Sequence, residues 1–157
     1  MSVAVEVLDL AKERGIMIAT AESCTGGMVA AALTDIPGSS AVVERGFVTY
    51  TNIAKIEMLG VSPATLDAHG AVSEEVAAEM AAGALAHAPV QLAVSITGIA
   101  GPGGSEFKPE GRVCFGVADA VQTHVETVEF GAQGRDAVRV AARDHALTLL
   151  RDRLLGR

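Results

Sequence analysis

Ile16-Met17-Ile18-Ala19-Thr20-Ala21, then Glu22-Ser23-Cys24-Thr25-Gly26-Gly27, then Met28-Val29-Ala30-Ala31-Ala32-Leu33 is the stretch from which the fold is read. The first part is a short apolar, β-prone run, and the last has the composition of a helix. Hydroxyls, a thiol and a pair of glycines therefore fall at a strand-to-helix turn. The free N–H groups of a helix start face outward there, and the macrodipole favours negative charge. Gly26 and Gly27 let a ligand approach the backbone closely. Ser23, Cys24 or Thr25 can supply a nucleophile or further hydrogen bonds. The same pattern also fits Ser23 or Thr25 as a plain N-cap beside two turn glycines.

Working outward, Val3 to Arg14 is amphipathic at helical spacing, and Gly15 fits the residue just past its end. After a turn over residues 35–40, Val42 to Tyr50 reads as a strand with a bulge at Arg45-Gly46. Thr51-Asn52 can cap a helix over Ile53–Leu59 that stops at Gly60. Ser62-Pro63 opens a short helical turn, and Ser73-Glu74-Glu75-Val76 opens an Ala-rich helix that runs to His87 before Pro89. Gln91 to Thr97 is a buried-looking strand that ends in Gly98-Ile99-Ala100-Gly101-Pro102-Gly103-Gly104-Ser105. Residues 112–119 and 123–130 alternate as an antiparallel pair, and a last helix covers residues 134–155.

Strands interleaved with helices early and paired late describe an α/β fold: a layered single domain over residues 1–157, with a mixed β-sheet packed by helices. At 157 residues the chain can bury roughly 70% of its unfolded surface. Aromatic residues make up only 3% while Ala, Val and Gly abound, so the helices are expected to lie close on the sheet. Both glycine-rich turns begin at strand carboxyl ends, where ligands of such sheets sit, and should face one crevice.

The net charge of −7 and the scarcity of aromatic platforms argue against nucleic acid as a partner. No apolar run approaches the ~20 residues needed to cross a bilayer, and Met1–Glu6 carries no basic leader, so the expectation is a cytoplasmic protein with no membrane partner. Cys24 and Cys114 do not form a metal-ligand spacing, and His69, His87, His124 and His145 are scattered. Neither a structural metal nor a cofactor is expected.

Lys55 follows a strand end and sits among Ile53, Ala54 and Ile56. Burial would lower its pKa and fit it to act as a base toward Ser23, a known variant of the nucleophile–base pair. A solvated surface lysine is the commoner state. Tyr50 can relay a proton or orient Lys55, or simply be an amphipathic residue at the sheet edge. Glu22 can be a buried partner that fixes Lys55 or Thr25, or a surface acid at a helix start. Cys24 competes as nucleophile, but no histidine is placed to serve it, which favours Ser23. The loop Gly98 to Ser105 resembles an anion cradle, with the hydroxyls of Thr97 and Ser105 beside it, suited to a phosphate or an oxyanion. Lys108, Arg112, Arg135 and Arg139 offer the local positive charge that an acidic chain needs for a phosphate.

Ala21-Glu22-Ser23-Cys24-Thr25-Gly26-Gly27, Gly46-Phe47-Val48-Thr49-Tyr50 with Lys55, Gly70-Ala71-Val72-Ser73, and Ser95 through Gly104 followed by Lys108-Pro109 together resemble the C-terminal domain of the CinA family, in its stand-alone amidase form. The resemblance runs in order along essentially the whole chain. It implies hydrolysis of the carboxamide of nicotinamide mononucleotide with release of ammonia, as part of pyridine-nucleotide recycling. It further implies Ser23 as the acylated nucleophile, Lys55 as its base, and Tyr50 and Thr97 in the proton path. Glu22, Thr25, Gly26, Gly27, Gly98, Gly101, Gly103, Gly104 and Ser105 would then stand around the substrate. The family's larger members add a domain resembling molybdopterin-binding proteins, to which nothing here corresponds. The family's loop commonly reads Lys-Pro-Val-Gly-Thr. This chain has Lys108-Pro109-Glu110-Gly111-Arg112, whose extra acid and base can cancel as an ion pair.

From the residues alone the leading function is a Ser/Lys amidohydrolase acting on a small anionic amide. The alternative is a non-catalytic phosphate- or nucleotide-binding module. Small-residue helix faces also suit a homo-oligomer, with a dimer favoured.

Overall fold

The computed structural model describes residues 1–157. The elements follow as α1 (Val3–Arg14), β1 (Ile18–Glu22), α2 (Met28–Thr34), β2 (Val43–Val48), α3 (Asn52–Leu59), α4 (Pro63–His69), α5 (Glu74–Ala86), β3 (Leu92–Gly98), β4 (Arg112–Ala118), β5 (Thr123–Glu129) and α6 (Arg135–Leu154). Helix ends obey their sequence signals. Ser2 Oγ accepts from the Val5 N–H, Thr51 Oγ1 from that of Ala54 and Ser73 Oγ from that of Val76.

The sheet order is β2-β1-β3-β4-β5. β1 runs parallel to both β2 and β3, while β4 is antiparallel to β3 and to β5. The interleaved helices supply the crossovers that parallel neighbours require, and a tight turn held by Asp119 Oδ1 closes the β4–β5 hairpin. The mixed sheet expected from the sequence is thus present. Its bulge is at Glu44 rather than Arg45-Gly46, because Ile18 and Ala19 pair with Val43 and Arg45 and leave Glu44 between them. β2 also ends at Val48, two residues short of the predicted strand, so Thr49 and Tyr50 leave the ladder with their carbonyls free for another partner.

The strand period of two divides the core. Ile18, Leu92, Val94, Ile96, Val113, Phe115 and Val117 meet α1, α2 and α6 on one face. On the other, Ala19, Ala21 and Ala93 meet α5 with Leu59 and Leu66. That second face is built from small residues, so α5 approaches closely. A methyl at Gly116 would lie 2.7 Å from the carbonyl oxygen of Ala77, and one at Gly83 would collide with that of Leu59. Helix α3 is thereby held with its inner face against α5 at the carboxyl end of β1, the placement on which the site depends. No helix is long and apolar enough to cross a membrane.

Candidate active site

Adjacent parallel strands β1 and β3 deliver their carboxyl ends side by side, so Ser23 and the glycine loop after Gly98 emerge together, tied by the Ser23 N–H to Ile96 carbonyl bond of 2.9 Å. Two adjoining cavities open there. The smaller, about 190 Å³, is bounded by Ser23, Lys55, Thr97 and Ala71 among others. The larger, about 290 Å³, is walled mainly by residues 98–106. Tyr50, Ala71, Val72, Gly98, Ala100 and Arg135 border both, which makes them one cleft.

Lys55 is 1% exposed. Ile53 faces solvent, so the lysine is not buried by its sequence neighbours. It points inward because it shares the inner face of α3 with Leu59, one turn on. Its Nζ lies 3.1 Å from Ser23 Oγ, 3.0 Å from the Thr49 carbonyl and 3.3 Å from the Tyr50 carbonyl. No carboxylate is bonded to it. Burial therefore pushes the Lys55 pKa below its ordinary value. The geometry serves both protonation states. An amine donates its two N–H groups to the two carbonyls and turns its lone pair to the Ser23 hydroxyl, whereas an ammonium donates to all three.

Burial raises the Cys24 thiol to about 12, so it stays protonated and is a poor nucleophile despite its place beside Ser23. The N–H of Cys24 donates to no other residue. Cys24, which borders the smaller cavity directly after Ser23, can turn that N–H to the oxyanion that forms on a carbonyl oxygen when the Ser23 hydroxyl attacks.

The helix start itself is not free for a ligand. Glu22, 1% exposed, points to the α2 side of the sheet and fills it. Its Oε1 accepts from the Thr25 hydroxyl at 2.6 Å and the Val29 N–H at 2.9 Å, and its Oε2 accepts from the Ala30 N–H at 3.0 Å. Glu22 and Thr25 are thus supports of the turn rather than residues lining the cleft. Glu22→Gln is expected to lower stability by about 1–3 kcal/mol, because the new amide would present a donor to one of those buried donors. Urea denaturation with a lower midpoint and an unchanged slope is the expected reading; an unchanged midpoint would remove this role.

Gly26 and Gly27 also lie outside the cleft walls. Their φ values of 57° and 110° fit them for the turn itself, a conformation that side chains resist. Three of the four predicted phosphate cations are employed elsewhere. Arg139 donates to the carbonyls of Cys24 and Thr25 at 3.0 and 3.3 Å, bracing the turn from α6. Lys108 donates to the carbonyls of His69 and Val72, holding the loop before α5. Arg112 pairs with Glu129 at 2.6 Å, so the expected Glu110–Arg112 ion pair does not form. Arg135 alone borders the cleft, donating to the Gly101 carbonyl at 2.7 Å and the Tyr50 hydroxyl at 2.8 Å.

Thr97 borders the cavity with its hydroxyl donated to the Ala71 carbonyl at 2.8 Å. Tyr50 meets Lys55 only through its backbone carbonyl, since its phenol is held by Arg135, so a direct proton relay through that phenol has no support. Gly98, Gly101, Gly103, Gly104 and Ser105 do line the larger cavity. Sequence reasoning about single residues missed the wall made by Ala71 and Val72, although the Gly70-Ala71-Val72-Ser73 run was visible. It also missed Glu106, Asn52 and the Thr49 carbonyl. A backbone acceptor leaves no mark in residue identity.

A five-stranded mixed α/β sheet with a buried serine–lysine pair at the mouth of a glycine-walled cleft is the class this geometry defines. Residues 1–154 match the family model of the CinA C-terminal domain, and the chain belongs to that family. It is 54% identical over 151 residues to the nicotinamide-nucleotide amidohydrolase PncC of Escherichia coli K12, covering 96% of this chain and 92% of that one. It is 62% identical over 115 residues to a CinA-like protein of Chloroherpeton thalassium, a match that covers 73% of this chain and only 27% of that longer protein. Among solved structures, the competence/damage-inducible protein CihA of Agrobacterium tumefaciens is 47% identical with a TM-score of 0.91, over 94% of this chain and 91% of that one. A CinA superfamily protein of Klebsiella pneumoniae is 35% identical with a TM-score of 0.95, over 99% of this chain and 97% of that one.

Proposed function

We propose that this chain hydrolyses the carboxamide of nicotinamide mononucleotide to the carboxylate, releasing ammonia, with Ser23 as nucleophile and Lys55 as its base. The observation that carries the reading is the 3.1 Å approach of Lys55 Nζ to Ser23 Oγ, with the amine's other hydrogens taken by the Thr49 and Tyr50 carbonyls. Its near-full coverage by the E. coli relative of that name supports the substrate.

In the first half-reaction the Lys55 amine takes the Ser23 proton as Oγ bonds to the amide carbon. The oxyanion on the former amide oxygen is held by the N–H of Cys24. Lys55 then passes the proton to the leaving nitrogen, the C–N bond breaks, and ammonia departs from an acyl-serine. In the second, water gives a proton to Lys55 as it attacks the acyl carbon, and that proton returns to Ser23 as the ester bond breaks. Arg135 can exchange its two neutral acceptors, the Gly101 carbonyl and the Tyr50 phenol, for the substrate phosphate and gain a charge-assisted bond.

The purified chain is expected to release one ammonia per nicotinate mononucleotide formed, followed by coupled ammonia assay and chromatography on a short panel of pyridine amides. Ligand-dependent thermal stabilisation without turnover of any of them would replace this reading with that of a binding module.

A further inference from the structure

The loop that walls the larger cavity already holds an anion belonging to the chain. Gly103 donates its N–H to Glu110 Oε1 at 2.5 Å, so one of the donors expected to serve a ligand is spent. The glutamate side chain lies flat against the loop: a methyl at Gly101 would stand 2.5 Å from its Cδ, and Gly101, at φ 91°, carries none. No cation is bonded to that carboxylate. Arg112 is paired with Glu129, Lys108 is engaged with the carbonyls of His69 and Val72, and Arg135 with Gly101 and Tyr50. Of the charged residues on the wall of the larger cavity, Arg135 is the one cation and Glu106 the one anion. Glu110 adds a second negative charge immediately behind that wall.

We infer that Glu110 is a specificity-determining residue that weakens the cleft's preference for phosphorylated over unphosphorylated ligands. This rests on the amidase reading above. A phosphate entering the larger cavity gains Arg135 but meets the field of Glu110 across the loop and finds the Gly103 N–H occupied. A riboside with the same amide and no phosphate has neither penalty. A like charge near a surface, partly screened by solvent, changes binding by about three- to tenfold.

The test compares wild type, Glu110→Gln and Glu110→Val on nicotinamide mononucleotide and nicotinamide riboside. Glutamine keeps an acceptor for the Gly103 N–H and removes only the charge; valine removes both. The kcat/KM ratio of mononucleotide to riboside is expected to rise about three- to tenfold in each variant, through KM, with kcat on the riboside unchanged. The gain should shrink in 0.5 M salt, where the screening length is only about 4 Å. A ratio that stays at the wild-type value in Glu110→Gln, or equal losses on both substrates as a mere prop of the loop would give, overturns the inference. The same comparison by calorimetric Kd in the Ser23→Ala background needs no turnover. A wild type that binds both ligands but hydrolyses neither defeats the amidase reading and leaves Glu110 to be judged by those Kd ratios. Failure of the mononucleotide to bind any of the proteins ends both, whereas failure of the riboside alone to bind every protein, Glu110 variants included, overturns only the inference.

Discussion

Ser23→Ala is expected to abolish ammonia release from nicotinamide mononucleotide, with kcat falling about 10³-fold or more, while the protein remains folded and still binds the nucleotide. Loss of a serine nucleophile removes the covalent route and leaves only the binding and oxyanion contributions. Folding should survive because Ser23 contributes to the scaffold through its N–H, bonded to Ile96, and its carbonyl, which accepts from Gly26; alanine keeps both. Cys24 offers no detour. A thiol held at about 12 is thiolate in about one molecule in 10⁵ at neutral pH. Iodoacetamide should accordingly spare the wild-type activity. Undiminished turnover in a purified Ser23→Ala protein, or loss of activity in Cys24→Ala, would move the nucleophile elsewhere.

The order of elements was legible because each boundary has a local cause. Ser2, Thr51 and Ser73 cap helices where a capping side chain stands before an apolar run, and Gly15 ends α1 at φ 66°. Sheet type was legible too, since helical segments separate the early strands and a short turn joins the last two. The bulge was not. Its position depends on which residue of β2 faces Ile18, and nothing in Glu44-Arg45-Gly46 fixes that register. The end of β2 was overrun for a similar reason: Thr49 and Tyr50 are good strand residues whose carbonyls are claimed by Lys55 from another element.

At the site, the sequence revealed residues whose type is chemically uncommon in their setting. Ser23 at a strand end and the glycine loop belong here. It did not reveal how charges would be shared out. Glu22, Arg139, Lys108 and Arg112 all carry charge near the two turns, and each is consumed by the scaffold rather than by the cleft. Those assignments are decided by distances of a few ångströms between segments remote in sequence. A residue's type tells what it can bind; only packing tells which partner reaches it first. Apolar sequence neighbours are a poor guide to the burial of Lys55, because Ile53 faces outward; its helical pairing with Leu59 is the better signal.

Lys55 carries the second large effect, and its pH dependence separates a base from a fixed cation. Lys55→Met and Lys55→Arg are both expected to lower kcat by about 10²–10⁴-fold, since a guanidinium supplies charge but cannot give up its proton to act as base. Wild-type kcat/KM should rise with pH through an inflection below the ordinary lysine value, because burial lowers the Lys55 pKa and the amine is the active form. Stability follows with a definite sign. The folded lysine binds its proton less tightly than the unfolded one, so between the two pKa values the unfolded state holds more protons and stability increases with pH. Below that window both states are protonated and the cost of burying the ammonium is felt in full; above it both are neutral and the cost is gone. Urea denaturation should therefore show wild type gaining on Lys55→Met as pH climbs through the window. Activity retained in Lys55→Arg would make the residue an electrostatic stabiliser, and a stability difference flat in pH would place its amine in solvent rather than against Ser23.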